Sequence, residues 1–216
     1  TDPKTAVDIQ ERVNNCIGFE IINQSNNFCH VKSVSQVSLD EFNQILRKVL
    51  LLLITMGENT VDILEKGNYT RLQEVRVLEN TNNKLTDFCK RVLNKKGYHD
   101  HSKLTTMYTI CMYLERAADE YRDVCDGLMN KKDKVSPAVI KEFKEVNTLF
   151  VDFYNFFYKL DRTKLERIFF SAPPLRNKLL ESISKAQPSD RVAIHTMINI
   201  LSEIYELSTA TVELHL

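Results

Sequence analysis

From Ser38 onward the apolar residues recur with a helical period. Phe42, Ile45, Leu46, Val49, Leu53 and Met56 share one face, the spacing of a helix that buries a single stripe. Ser38-Leu39-Asp40-Glu41 opens it as a capping box, in which Ser accepts from an orphan amide and Glu reaches back. Gly67 ends it. Thr70-Arg71-Leu72-Gln73 reads as a second capping-box start, and Leu72, Val75, Leu78, Leu85, Phe88 and Val92 carry that helix to Gly97. A third helix, Ser102 to Leu128, places Leu104, Met107, Cys111, Leu114, Ala118, Tyr121 and Cys125 on its stripe, with Gly127 and the polar run 130–134 closing it.

The second half begins at Ser136-Pro137, where Ser suits the N-cap and Pro the first helical position. Val139, Phe143, Val146, Phe150, Phe153 and Phe157 form the fourth stripe. A fifth helix starts near Thr163 and meets Pro173-Pro174, which predicts a break or kink. The sixth runs from Ser189 to the end through Val192, Met197, Leu201, Ile204 and Val212. Upstream, residues 6–17 read as a short amphipathic helix stopped by Gly18. Phe19–Ile22 and Phe28–Val34, separated by the turn 23–27, read as a hairpin.

The body repeats internally. Thr70-Arg71-Leu72-Gln73-Glu74-Val75 recurs as Thr163-Lys164-Leu165-Glu166-Arg167-Ile168, an offset of 93. Tyr113–Ala117 recurs as Ile200–Ile204, an offset of 87. The fold class expected is therefore mainly α: two tandem three-helix bundles with six long helices, preceded by a short helix and a small β-hairpin. The expected divisions are a linker segment over 1–35, a first bundle over 36–132 and a second over 133–216.

Composition narrows the function classes. Of 216 residues 43% are hydrophobic, enough apolar surface to exclude disorder for most of the chain. Five glycines and five prolines are too few for the turns of an all-β fold. Lys+Arg and Asp+Glu both count 29, so no overall basic excess favours nucleic acid. Motifs of the GxGxxG, GxxxxGK and GxSxG types are missing. The five cysteines, Cys16, Cys29, Cys89, Cys111 and Cys125, form no CxxC pair and read as reduced, buried small hydrophobes of a cytoplasmic protein. The longest apolar run, Val49 to Ile54, is too short for membrane insertion. The opening Thr-Asp-Pro, without Met, predicts an excised fragment or a processed product.

The most suggestive polar constellation lies on the third helix. Glu115 and Asp119 are i and i+4, and Asp123 extends the row by a turn. Such a row can supply oxygen ligands to a cation if a neighbouring helix adds more. Spacing alone favours the plainer reading, a solvated helix face that Arg116 and Arg122 neutralise. Glu58 and Asp62 repeat the spacing on the first long helix, with the same two readings. His99-Asp100-His101 reads as an interhelix turn with Asp100 as N-cap rather than a zinc site. His195 reads as a boundary histidine. No Glu is followed three residues later by His, which argues against a di-iron bundle enzyme. No nucleophile–base pair emerges. The aromatic stripe through Phe143, Phe150, Phe153, Phe156 and Phe157 reads as core, with part of it left for a partner because one face cannot hide both Phe156 and Phe157.

Leu114-Glu115-Arg116-Ala117-Ala118-Asp119 resembles the Glu/Asp-x-x-x-Asp signature of the PhoU family of phosphate-uptake regulators, in its archaeal form. The starts at Gly67–Val75 and Asp161–Ile168 fit as well. The segment Ile9–Ile22 resembles the linker that joins an AbrB-like DNA-binding domain to PhoU repeats, with that domain itself missing from this chain. The resemblance implies a non-enzymatic, cytoplasmic regulator of phosphate uptake that docks on a phosphate ABC transporter ATPase or a sensor kinase, as a homodimer. It also implies a divalent or ferric metal ion held weakly by Glu115, Asp119 and Asp123. The alternative is the effector and dimerisation half of an AbrB-type transcription regulator, touching DNA only through the missing domain. Two departures count against a multinuclear metal cluster. Ser202 replaces the first carboxylate in the second half, and Asn80–Lys84 is almost without acids.

Overall fold

Ser38 starts the first long helix as its side chain predicts: it accepts from the Glu41 amide at 3.2 Å, and the Glu41 carboxylate accepts from the Ser38 amide at 3.3 Å. The chain is mainly α. A computed structural model describes residues 3–25, 27–34 and 38–216. Asn26 of the expected turn and the expected linker boundary at 35–36 lie outside the described residues.

A short helix α1 (Pro3–Asn14) leads into an antiparallel hairpin, β1 (Phe19–Gln24) and β2 (Cys29–Ser33). Its register pairs Phe19 with Ser33 and Ile21 with Val31, then slips at a bulge before Asn23 pairs with His30. Arg91 ties this piece to the body, donating to the Ile17 carbonyl and stacking over Phe19 at 4.5 Å. Six long helices follow: α2 (Leu39–Lys66), α3 (Leu72–Lys96), α4 (Leu104–Leu128), α5 (Pro137–Lys159), α6 (Arg162–Ser182) and α7 (Pro188–Glu213).

Local chemistry explains the joints. Gly67 closes α2 at φ 66, a left-handed conformation that a side chain would oppose. The capping box expected at Thr70 does not form. Residues Tyr69–Arg71 make a one-turn 3-10 helix, and Thr70 instead donates to Asn68 Oδ1 at 2.7 Å. The repeat uses the same device: Thr163 donates to Asp161 Oδ1 at 2.6 Å. Asp100 caps the turn before α4 by accepting from the Ser102 amide at 3.0 Å.

α6 is one continuous helix through Pro173 and Pro174, so the expected break is absent. Both prolines lie on the solvent side of a helix that buries only Ile168, Ala172, Leu175 and Leu179, so water can serve the carbonyls they orphan. α4 ends at Leu128 as expected, with Gly127 its next-to-last residue. Cys16 is exposed and Cys29 half-buried, because both belong to the N-terminal piece rather than to the bundle; the other three thiols are buried.

The two halves meet antiparallel. α2 lies along α5, where Arg47 donates to the Tyr154 hydroxyl at 3.2 Å and Gly57 faces Asn147. α4 lies along α7, from Gly127 beside Val192 to Lys103 donating to the Leu214 carbonyl. Buried side chains of both halves form one continuous core.

Candidate functional site

The apolar stripe of α4, through Leu114, Ala117, Ala118 and Tyr121, is fully buried. That leaves two polar edges, one turned to α3 and one to α7. The predicted row Glu115, Asp119 and Asp123 lies on the α3 side.

Each member of that row is answered by a cation. Glu115 is paired with Lys90 of α3, which also meets Asp87 at 2.8 Å. Burial works against the Lys90 charge, but its bonds to Asp87 and Glu115 outweigh it and raise its pKa. Asp119 is paired with Arg122, which reaches Asp123 at 3.1 Å and Glu79 of α3 at 3.5 Å. Arg122 therefore gathers three carboxylates, whereas Glu115 stands apart on Lys90. Burial pushes the Glu79 carboxyl up from its ordinary value, against the pull of Arg122. Asn83 donates to Glu79 Oε1 at 2.6 Å.

Glu79 escapes a reading by motif because it precedes the stretch Asn80–Lys84. A signal was present, however: with Val75, Asn82 and Thr86 it shares the buried face of α3. A carboxylate in apolar phase needs a partner there.

The donor set on this face is all oxygen, which suits a hard cation. Lys90 and Arg122 already occupy the positions from which an ion would draw its charge. With those two cations in place, no three His, Cys, Asp or Glu side chains among the described residues are gathered as a metal site.

On the α7 side, Arg116 pairs with Glu203 at 2.8 Å and Asn199 donates to Glu120 at 3.0 Å. Arg116 and Glu203 differ by 87, the offset of the third-helix repeat. The ion pair thus joins equivalent positions of the two halves. Glu203 is only 3% exposed, and burial lifts its carboxyl to about 7 against the opposing pull of Arg116. Burial likewise raises Glu120, with Asn199 opposing.

The remaining candidates disperse. Glu58 is exposed, while Asp62 is bound by Lys66 at 2.6 Å and Arg71 at 3.4 Å. Both line a cavity of about 450 Å³ between α2 and α5. Its floor is Ile54, Val61 and Val151, and Glu65 at its rim is neutralised by Lys144 at 2.7 Å. His195 is exposed beside Asn199. Phe156 is buried and Phe157 half-buried against Phe153, so the aromatic stripe is core with a wetter edge.

Compared with models of known families, with curated proteins and with solved structures, the chain matches none. No helix among the described residues is long and apolar enough to cross a membrane.

Proposed function

We propose that this chain is a non-enzymatic regulator of phosphate uptake of the PhoU type, acting by docking its helix faces on a phosphate ABC transporter ATPase or a sensor kinase. The observation that carries this reading is the repeat. Two three-helix halves share the Asn68/Thr70 and Asp161/Thr163 turn, and their third helices lie antiparallel. The Leu114–Asp119 motif falls on one of those third helices. A divalent or ferric ion at Glu115, Asp119 and Asp123 would bind weakly, because it must displace Lys90 or Arg122 from their carboxylates.

Affinity capture from phosphate-replete and phosphate-starved cells tests the docking. Recovery of a transporter ATPase or a sensor kinase is expected; recovery of neither in both states overturns it. Metal is tested separately. The double variant Glu115→Ala with Asp119→Ala should lose any stoichiometric metal, and unchanged metal content would remove the site.

A second reading has its own observation. Among the described residues no further strand pairs with the two-stranded N-terminal hairpin, and Ile22, Phe28, Val31 and Val34 in and beside it are exposed. That favours the effector and dimerisation half of an AbrB-type regulator. Recovery of DNA without transporter components in the same capture would shift the assignment to it.

A further inference from the structure

We propose that Glu203, faced by Arg116, is a proton-responsive clasp point between the two three-helix halves: the seam around it is tightest when the buried carboxyl is neutral and loosens when it ionises, although ionisation strengthens its attraction to Arg116. The inference does not rest on the regulator reading.

Three observations of geometry point to it. First, the Glu203 carboxylate is buried at the α4–α7 seam and meets Arg116 through Oε1 at 2.8 Å. Its Oε2 is buried without a hydrogen bond. An ionised carboxylate needs donors on both oxygens when water is excluded, so the charged form is underserved. Second, Arg116 is 61% exposed and reaches in from the surface, lying over the Tyr113 ring at 5.6 Å. A guanidinium so placed stays hydrated when the pair breaks, and therefore cannot hold Glu203 in its charged form strongly. Third, the pair bridges equivalent positions of the two halves, so its state bears on how they meet.

The charges acting on Glu203 are Arg116 and Glu120 from α4 and Glu206 from α7 itself; among the described residues α5 and α6 add none. Arg116 favours the ionised form, whereas burial, Glu120 and Glu206 oppose it, and the balance lies at about 7 against an ordinary 4.5. The folded state thus binds this proton more tightly than the unfolded chain. The stabilisation is complete below the ordinary value and is lost as pH rises through about 7. Acid tightens the seam and alkali relaxes it.

Carboxyl-carbon NMR of the intact chain from about pH 5 to about pH 9 reads the titration. Amide exchange along α4 and α7, corrected for intrinsic rates, reads the seam. The Glu203 midpoint is expected near 7, with a roughly tenfold loss of α4 and α7 protection across the same interval. Glu203→Gln, which cannot ionise, should keep its protection throughout. A midpoint in the ordinary carboxylate range, or the same loss in Glu203→Gln, overturns the clasp. Should that variant fail to fold, Arg116→Gln serves: without its cation the Glu203 midpoint must rise, and an unmoved midpoint overturns the pairing.

Discussion

Asp152 on α5 and Glu203 on α7 are equally buried, 2% and 3% exposed, but they are held differently. Asp152 receives two cations from α6, Lys164 at 3.0 Å and Arg167 at 2.9 Å. Glu203 receives one, from the other half of the molecule. The difference follows from chain connectivity. α5 and α6 are joined by a tight turn at Leu160 and Asp161, so the first turns of α6 are delivered beside the end of α5. No short connection places α4 against α7; only packing does. Contacts within a half are arranged locally, whereas contacts between halves depend on shape.

The two glycines within long helices make the same point. Gly57 of α2 and Gly127 of α4 both face the opposite half. A Cβ on Gly57 would come within 2.8 Å of Asn147 Oδ1 and of the Tyr121 hydroxyl, and one on Gly127 within 2.6 Å of Val192 Cγ1. A helical glycine sacrifices about 1 kcal/mol of helix propensity relative to alanine. Here that loss lets the two halves approach closely.

The comparison can be broken most forcefully at Asp152. Asp152→Ala leaves Lys164 and Arg167 without their shared acceptor and should cost about 3 kcal/mol, read from urea unfolding. A loss no larger than that of Glu203→Ala would erase the contrast between the two carboxylates. Next, Gly57→Ala should destabilise by about 2 kcal/mol in spite of its better helix propensity. The new methyl must push apart the Tyr121–Asn147 hydrogen bond, now 3.1 Å. Any rise in melting temperature would show that the halves are not held at glycine distance. Smaller still, Glu203→Gln should stabilise by about 1–2 kcal/mol at about pH 8 and by nearly nothing at about pH 5. Ser38→Ala sharpens that measurement as a background. It removes only the α2 cap and should cost about 0.5–1 kcal/mol equally at both pH values.

How much of this was legible in the sequence depended on the range of the interaction. The stripes of α2, α3, α4, α5 and α7 could be read because burying one face of a helix demands a 3.6-residue period. The cap at Ser38 and the turn at Asp100 were legible because their donors and acceptors lie within three residues. The prolines of α6 do not end it: they lie on its solvent side, where water can serve the carbonyls they orphan, and exposure is a tertiary property. Of the candidate site, Glu115, Asp119 and Asp123 stood out by spacing. Arg122, three residues from Asp119 on the same helix, could be named as its neutraliser, but Lys90 and Glu79 of α3 could not, because α3 and α4 choose their register by packing.

Sequence alone therefore determined the number of helices in the body, most of their ends, and the tandem repeat. These rest on near-neighbour hydrogen bonds and on a periodicity that any window of the chain displays. Only the tertiary structure decided which face of α4 meets which helix, and so that adjacent residues Glu115 and Arg116 serve different seams. It also decided that Glu203 is buried with a single cation. The cost of burying a charge depends on every group within reach after folding, and two of the charges that reach Glu203, Arg116 and Glu120, lie more than eighty residues from it in the chain.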